Sequence, residues 1–138
     1  SIREHEAESL REPCPYHVIE LGLRYHDRET LYGRINRRVD KMVEMGLTEE
    51  VKAAREQGLT ATAAQAIGCK ELYSWLDGKE TQEEALDKLK QSTRRYAKRQ
   101  LTWFGTDQRM RWIEPDTLAA GETPLDKAME ILEKEGMA

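Results

Sequence analysis

Apolar residues recur every three or four positions through most of this chain, and glycine closes one such stretch after another. Leu31, Ile35, Val39 and Met42 trace one face of a helix with Asp27 as its N-cap and Gly46 as its stop. Thr48 reads as the cap of a shorter helix, with Val51 and Ala54 turned inward and Gly58 at its end. Thr62-Ala63-Ala64-Gln65 has capping-box spacing and predicts a helix running through Leu72 and Leu76 to Gly78. Thr81-Gln82-Glu83-Glu84 repeats that spacing and opens the longest helix, about 81 to 104. Thr123, followed by proline at the first helical position, starts a final helix to Glu135.

Two stretches break the helical period. His17 to Leu23 reads as a short strand, and Met110-Arg111-Trp112-Ile113 before Pro115 as another. Residues 1–16 are polar, and Pro13 and Pro15 favour extended chain there. The expected fold class is mainly α, with one or two short strands. Two strands alone make a poor sheet, so they are expected to complete a sheet whose other strands lie outside this chain. At 138 residues one domain is the expectation. It would comprise a linker and short strand over 1–26, a helical region over 27–105, and a short strand with a C-terminal helix over 106–138.

Charge changes this picture locally rather than globally. The net charge of −4 does not mark the whole chain as a nucleic-acid binder. From Lys88 to Arg111, however, eight basic residues face the single acid Asp107, whereas Glu114 to Ala138 holds seven acids against Lys127 and Lys134. The result is a basic stripe beside an acidic tail. Cys14 and Cys69 stand far apart with no metal-ligand spacing, which suits a reduced, cytoplasmic protein. No apolar run approaches the roughly 18 residues of a membrane span. The polar start is unlike a signal peptide.

Within the long helix, Leu86, Leu89, Thr93, Ala97, Leu101 and Phe104 share one face, which predicts burial on that side. The opposite side stacks Lys90, Arg94 and Lys98 four residues apart, flanked by Gln91, Arg95, Arg99 and Thr102. Like charges at that spacing disfavour an isolated helix by a few tenths of a kcal/mol per pair. A polyanion that releases counterions on contact would offset that cost. Two other readings stand beside it. The column is a solvated face answered by the acidic tail in a structural helical domain, or the chain is a self-standing helical RNA-binding module without chemistry. Tyr96, Trp103 and Trp112 are core residues or stacking surfaces for unpaired bases.

The run Gln91 to Phe104, QSTRRYAKRQLTWF, resembles the signature of the tRNA dimethylallyltransferase (isopentenyl-diphosphate:tRNA transferase) family. Three further stretches agree in order and spacing: Asp27-Arg28 with Leu31-Tyr32 and Arg34 to Met42, Gly46-Leu47 with Glu50-Val51, and Gln65 to Leu72. The likeness spans about residues 16–114. It implies the helical C-terminal part of an α/β enzyme of the phosphate-loop type. That enzyme moves a dimethylallyl group from dimethylallyl diphosphate to N6 of the adenosine 3′ to the tRNA anticodon, with Mg²⁺. The family's phosphate loop and catalytic aspartate belong to its amino-terminal part, and none of the nine glycines here falls in the loop pattern. The chain alone is therefore expected to be inactive and to act, in its full-length form, as a monomer on the tRNA anticodon stem-loop.

Residue by residue, the resemblance makes Arg38 the arginine that contacts the donor diphosphate, with Arg34 one turn earlier assisting. It makes Gln65, Ala66, Ile67, Gly68, Cys69 and Lys70 one tRNA-contacting segment. The second runs through Lys98, Arg99, Gln100, Leu101, Thr102, Trp103, Phe104 and Gly105. No catalytic residue and no metal ligand are carried over. Cys69 stands where the family usually has tyrosine, and Gly105 where arginine commonly follows Trp-Phe. The first change removes a ring and a hydroxyl from the RNA-facing motif, the second a positive charge.

Overall fold

The computed structural model describes residues 2–10 and 12–137 and is mostly helical. Its elements are α1 (Ile2–Ser9), β1 (Glu20–Leu23), α2 (Arg28–Glu44), α3 (Leu47–Gln57), α4 (Ala61–Ala64), α5 (Cys69–Leu76), α6 (Gln82–Gly105), β2 (Met110–Ile113), a 3₁₀ turn (Pro115–Thr117) and α7 (Pro124–Lys134). Among these, no helix is long and apolar enough to cross a membrane.

Three caps form as the sequence specifies. Asp27 accepts from the Thr30 amide at the head of α2, and Thr123 accepts from the Asp126 amide at the head of α7. Thr81 and Glu84 close a reciprocal capping box on α6. Two other expected caps move. Thr48 is not a cap: Gly46, at φ 100°, makes the left-handed turn that starts α3. Thr48 therefore sits inside the helix, buried. Thr60 rather than Thr62 caps the next helix, accepting from the Ala63 amide at 3.2 Å. That helix ends after one turn, and α5 restarts beyond Gly68, whose φ of 102° only glycine adopts cheaply. One expected helix is thus two with a corner between them.

The amino terminus also departs from expectation. Pro13 and Pro15 constrain only their immediate neighbours, and Ile2–Ser9, free of both Gly and Pro, winds into α1. None of its residues is buried.

The strands pair with each other, parallel, in register from Glu20 opposite Met110 to Leu23 opposite Ile113. A parallel pair needs a crossover, and here the crossover is the helical region α2–α6. Gly22 permits the pairing: a Cβ on it would lie 2.7 Å from the Trp112 ring. Ile113 is buried, while Leu21 and Leu23 of the partner strand stay exposed.

The core lies where α3, α5 and the first half of α6 meet. Val51, Leu72 and Ala85 form its centre, with Leu47, Cys69, Tyr73, Trp75, Leu76 and Leu86 around it. Leu72 and Leu89 are the largest fully buried side chains, each contributing roughly 1.5–3 kcal/mol by leaving water. Arg55 closes the α3–α5 side, paired with Asp77 and lying 4.9 Å from the Tyr73 ring centroid. Helix α2 packs along α6, and Val39 is its buried contact.

Candidate functional site

The cations of α6 divide into two groups. Lys88 pairs with Glu80, and the Lys90 ammonium lies 2.7 Å from Asp40 of α2. Arg94 donates to Asn36 at 2.8 Å and sits over the Tyr32 ring. Three cations of the first half therefore hold the helix in place. Among the described residues, the side chains of Arg95, Lys98 and Arg99 form no ion pair; Arg99 lies only over its neighbour Tyr96, at 5.9 Å. The acidic tail does not answer the column. Glu135 binds Arg111, and Glu130 binds Lys127 and Lys134.

The predicted core face of α6 holds only in part. Of that face Leu89 is buried, Leu86, Thr93, Ala97 and Leu101 are half-buried and Phe104 is 46% exposed; Ala85, which was not expected there, is buried. The last turns of α6 are covered on one side only, where Leu101 faces the β1–α2 loop and the start of α2 across open recesses. Lys98, Arg99, Gln100, Thr102, Trp103 and Gly105 are exposed there, Trp103 at 76%. The Thr102 hydroxyl donates to the Lys98 carbonyl at 3.0 Å, which leaves its oxygen free to accept.

The other predicted segment forms the corner between α4 and α5. Gln65, Ala66 and Ile67 are exposed, Gly68 is buried, Cys69 is half-buried and Lys70 is exposed at the start of α5. Glu71 fixes the corner: its carboxylate accepts from the Gly68 amide at 2.8 Å. Nothing approaches within 4 Å of where a Gly68 Cβ would be, so glycine is needed there for backbone angle and not for close packing. Cys69 turns toward the core cluster, away from a role on the exposed corner.

Arg38 and Arg34 lie together on α2, in an open recess of about 490 Å³ that Arg37, Lys41, Tyr25, Leu31 and Ile35 also line. The Arg34 guanidinium stands 5.4 Å from the Tyr25 ring centroid. None of the four cations has an ion pair among the described residues. Such a cluster suits an anion with several charges. Arg37 and Lys41 were not singled out from the sequence. The signal was present: 34, 37, 38 and 41 are spaced three, four and seven apart, so they share one face. A second recess, about 300 Å³, opens between α2 and α6 and is lined by Tyr25, His26, Arg28, Tyr32, Lys98 and Thr102 among others. A third, about 360 Å³ and largely apolar, lies beneath Leu23, Leu101, Phe104, Met110 and Trp112.

The loop that joins β1 to α2, on which these recesses converge, is fixed by the turn that follows β2 at the same end of the sheet. Asp116 accepts from the His26 and Asp27 amides at 2.9 and 2.8 Å. Those two bonds hold the Asp116 carboxyl below the usual aspartate range, and the Thr30 hydroxyl and amide do the same for Asp27. Near β2, Arg109 and its own amide hold Asp107 down at about 2. Among the described residues no three His, Cys, Asp or Glu side chains converge to hold a metal ion.

Comparison with known proteins agrees with the motifs. The IPP transferase family model matches residues 1–107. A tRNA dimethylallyltransferase of Halalkalibacterium halodurans is 50% identical over 111 residues, 80% of this chain and 34% of that one. Its counterpart in Anoxybacillus flavithermus is 53% identical over 100 residues, 72% of this chain and 32% of that one. The chain thus spans about a third of the length of these curated relatives. The crystal structure of the full-length tRNA isopentenylpyrophosphate transferase from Bacillus halodurans superposes with a TM-score of 0.76 at 44% identity, over 98% of this chain and 43% of that one. A Staphylococcus epidermidis tRNA delta(2)-isopentenylpyrophosphate transferase gives 0.74 at 37%, with the same coverage. With more than half its length matched by the family model and its whole fold superposing on solved members, the chain belongs to the IPP transferase family.

Proposed function

We propose that this chain is the RNA- and diphosphate-gripping portion of a cytoplasmic, monomeric tRNA prenyltransferase. The whole enzyme would move a dimethylallyl group from dimethylallyl diphosphate to N6 of the adenosine 3′ to the anticodon. The observation that carries this reading is the pair of unanswered cation groups, Arg34–Arg37–Arg38–Lys41 and Lys98–Arg99, the first lining one recess and Lys98 the next, with Tyr25 and Leu31 as the wall between them.

In the reaction the N6 lone pair attacks the allylic carbon, the bond from that carbon to the diphosphate oxygen breaks, and diphosphate departs with the bonding electrons. Arg38, helped by Arg34, binds the diphosphate and neutralises the charge that grows on it as it leaves. The acceptor adenine must first leave the anticodon-loop stack. Lys98, Arg99 and Lys70 take RNA phosphates, Thr102 and Gln65 offer polar contacts to sugar or base, and the exposed face of Trp103 stacks an unpaired base. The base that removes the N6 proton and the phosphate loop lie outside this chain. Mg²⁺, which the resemblance implies for the reaction, would be held by groups outside this chain, whose own contribution is its cations.

The test is binding of an anticodon stem-loop RNA to the chain across a salt series, together with a prenyl-transfer assay. Affinity should fall steeply with salt, and no transfer should occur. Absence of RNA binding at low salt would end the gripping role. Turnover by this chain alone would show that the chemistry resides in it.

A further inference from the structure

Tyr25 lies in none of the four motifs, yet it stands where the recesses meet. It lines the cationic recess beside Arg34, the recess that reaches Lys98 and Thr102, and the apolar recess under Phe104 and Trp112. Only Leu31 shares all three walls with it. Its backbone is clamped on both sides. Arg24 reaches Glu114 at 3.3 Å and lies 4.9 Å from the Trp112 ring centroid, while His26 and Asp27 are held by Asp116. The half-buried ring is braced by Arg34 from the cationic side. A ring carried on a backbone held on both sides, and standing between two cation groups, is placed to touch whatever occupies either one.

We propose that Tyr25 is a substrate-positioning residue contacted by both substrates. Its ring is the common wall against which an allylic diphosphate and an unpaired RNA base are set side by side. The proposal rests on the function above and extends it to a residue outside the four motifs. The chemistry of the ring fits both neighbours. A flat apolar surface stacks a base whatever its sequence context. The face of an aromatic ring also attracts the positive charge that builds on an allylic carbon as its diphosphate leaves. Arg34 couples the ring to the anion recess, because anion binding and ring support draw on the same guanidinium.

The experiment uses this chain with labelled tyrosine rings, titrated separately with inorganic diphosphate and with an anticodon stem-loop RNA. The Tyr25 ring signal should move with each ligand. Tyr25→Ala should weaken RNA binding roughly tenfold, the scale of one lost stacking contact, and diphosphate binding several-fold. Tyr25→Phe, which keeps the ring, should bind both nearly as the parent does. Arg38→Ala should weaken diphosphate alone and Lys98→Ala RNA alone, so only Tyr25 registers in both titrations. A Tyr25 ring signal, or a folded Tyr25→Ala chain, that responds to one ligand or neither overturns the shared wall. If Tyr25→Ala does not fold, the ring signal of the parent chain decides. Silence of Arg38→Ala and Lys98→Ala as well would instead overturn the function beneath it.

Discussion

The two halves of α6 carry the same cations to different ends. In the first half, Lys88, Lys90 and Arg94 each find a partner on Glu80, Asp40 or Asn36, and Ala85 and Leu89 beside them are buried. In the second half, Arg95, Lys98 and Arg99 have no ion pair among the described residues, and Trp103 stands 76% exposed. Helix α2 makes the difference. It presents the acceptors Asp40 and Asn36 to the first half, but Arg28, Leu31 and Tyr32, none of them an acid, to Lys98, Leu101 and Thr102 of the second. A run of charge along a helix is therefore not one feature. Its role depends on which elements stand opposite each turn.

That contrast can be broken from either side. The largest effect should come from the anchored half: Leu89→Ala should cost about 2–5 kcal/mol in denaturant unfolding, because it opens a cavity at a fully buried position. RNA affinity per folded molecule should not change. Next, Lys98→Ala combined with Arg99→Ala should leave stability within about 0.5 kcal/mol. The same pair should lower the slope of log affinity against log salt by roughly 1.5, about 0.7–0.9 per lost phosphate contact. Arg94→Ala should do the reverse on a smaller scale, with about 1 kcal/mol of stability lost and the salt slope kept. If Arg94→Ala flattened the slope as Lys98→Ala does, the division of the helix would fail.

The smallest effect expected is acid weakening of the β1–α2 loop. The Asp116 and Asp27 carboxyls titrate below their ordinary value of 3.8 in the folded chain. Depressed folded values mean that their stabilisation is present above that pH and is lost as pH falls through the lower folded ones. Amide exchange at His26 and Asp27 should therefore accelerate below pH 3.8, ahead of exchange at the buried Leu72. Asp116→Asn should bring that acceleration to neutral pH.

Much of the helical framework was legible because its signals are local. Asp27, Thr81 and Thr123 cap with bonds to residues three positions away, and no distant contact is needed to place them. Thr48 and Thr62 misled for the same reason. Each has the side chain of a cap, but Gly46 makes the turn that starts α3, Thr60 caps α4, and Gly68 restarts the chain as α5. Of the candidate site, the family motifs indicated the residues Arg34, Arg38 and Lys98. The run Arg34 to Met42 contains Arg37 and Lys41 without giving them a contact, and Tyr25 lies in no motif; all three join the site through shared recess walls.

The sequence by itself determined the family, the two short strands, the starts of α2, α6 and α7 and the placing of basic residues on α2 and α6. All of these are written in nearest-neighbour spacing. Only the tertiary structure decided that β1 and β2 pair with each other, and that Asp116 reaches 89 residues back to fix the loop before α2. It also decided which cations are spent on packing and which stay open. Those outcomes depend on what lies opposite a residue in space, and periodicity along one chain carries no record of that.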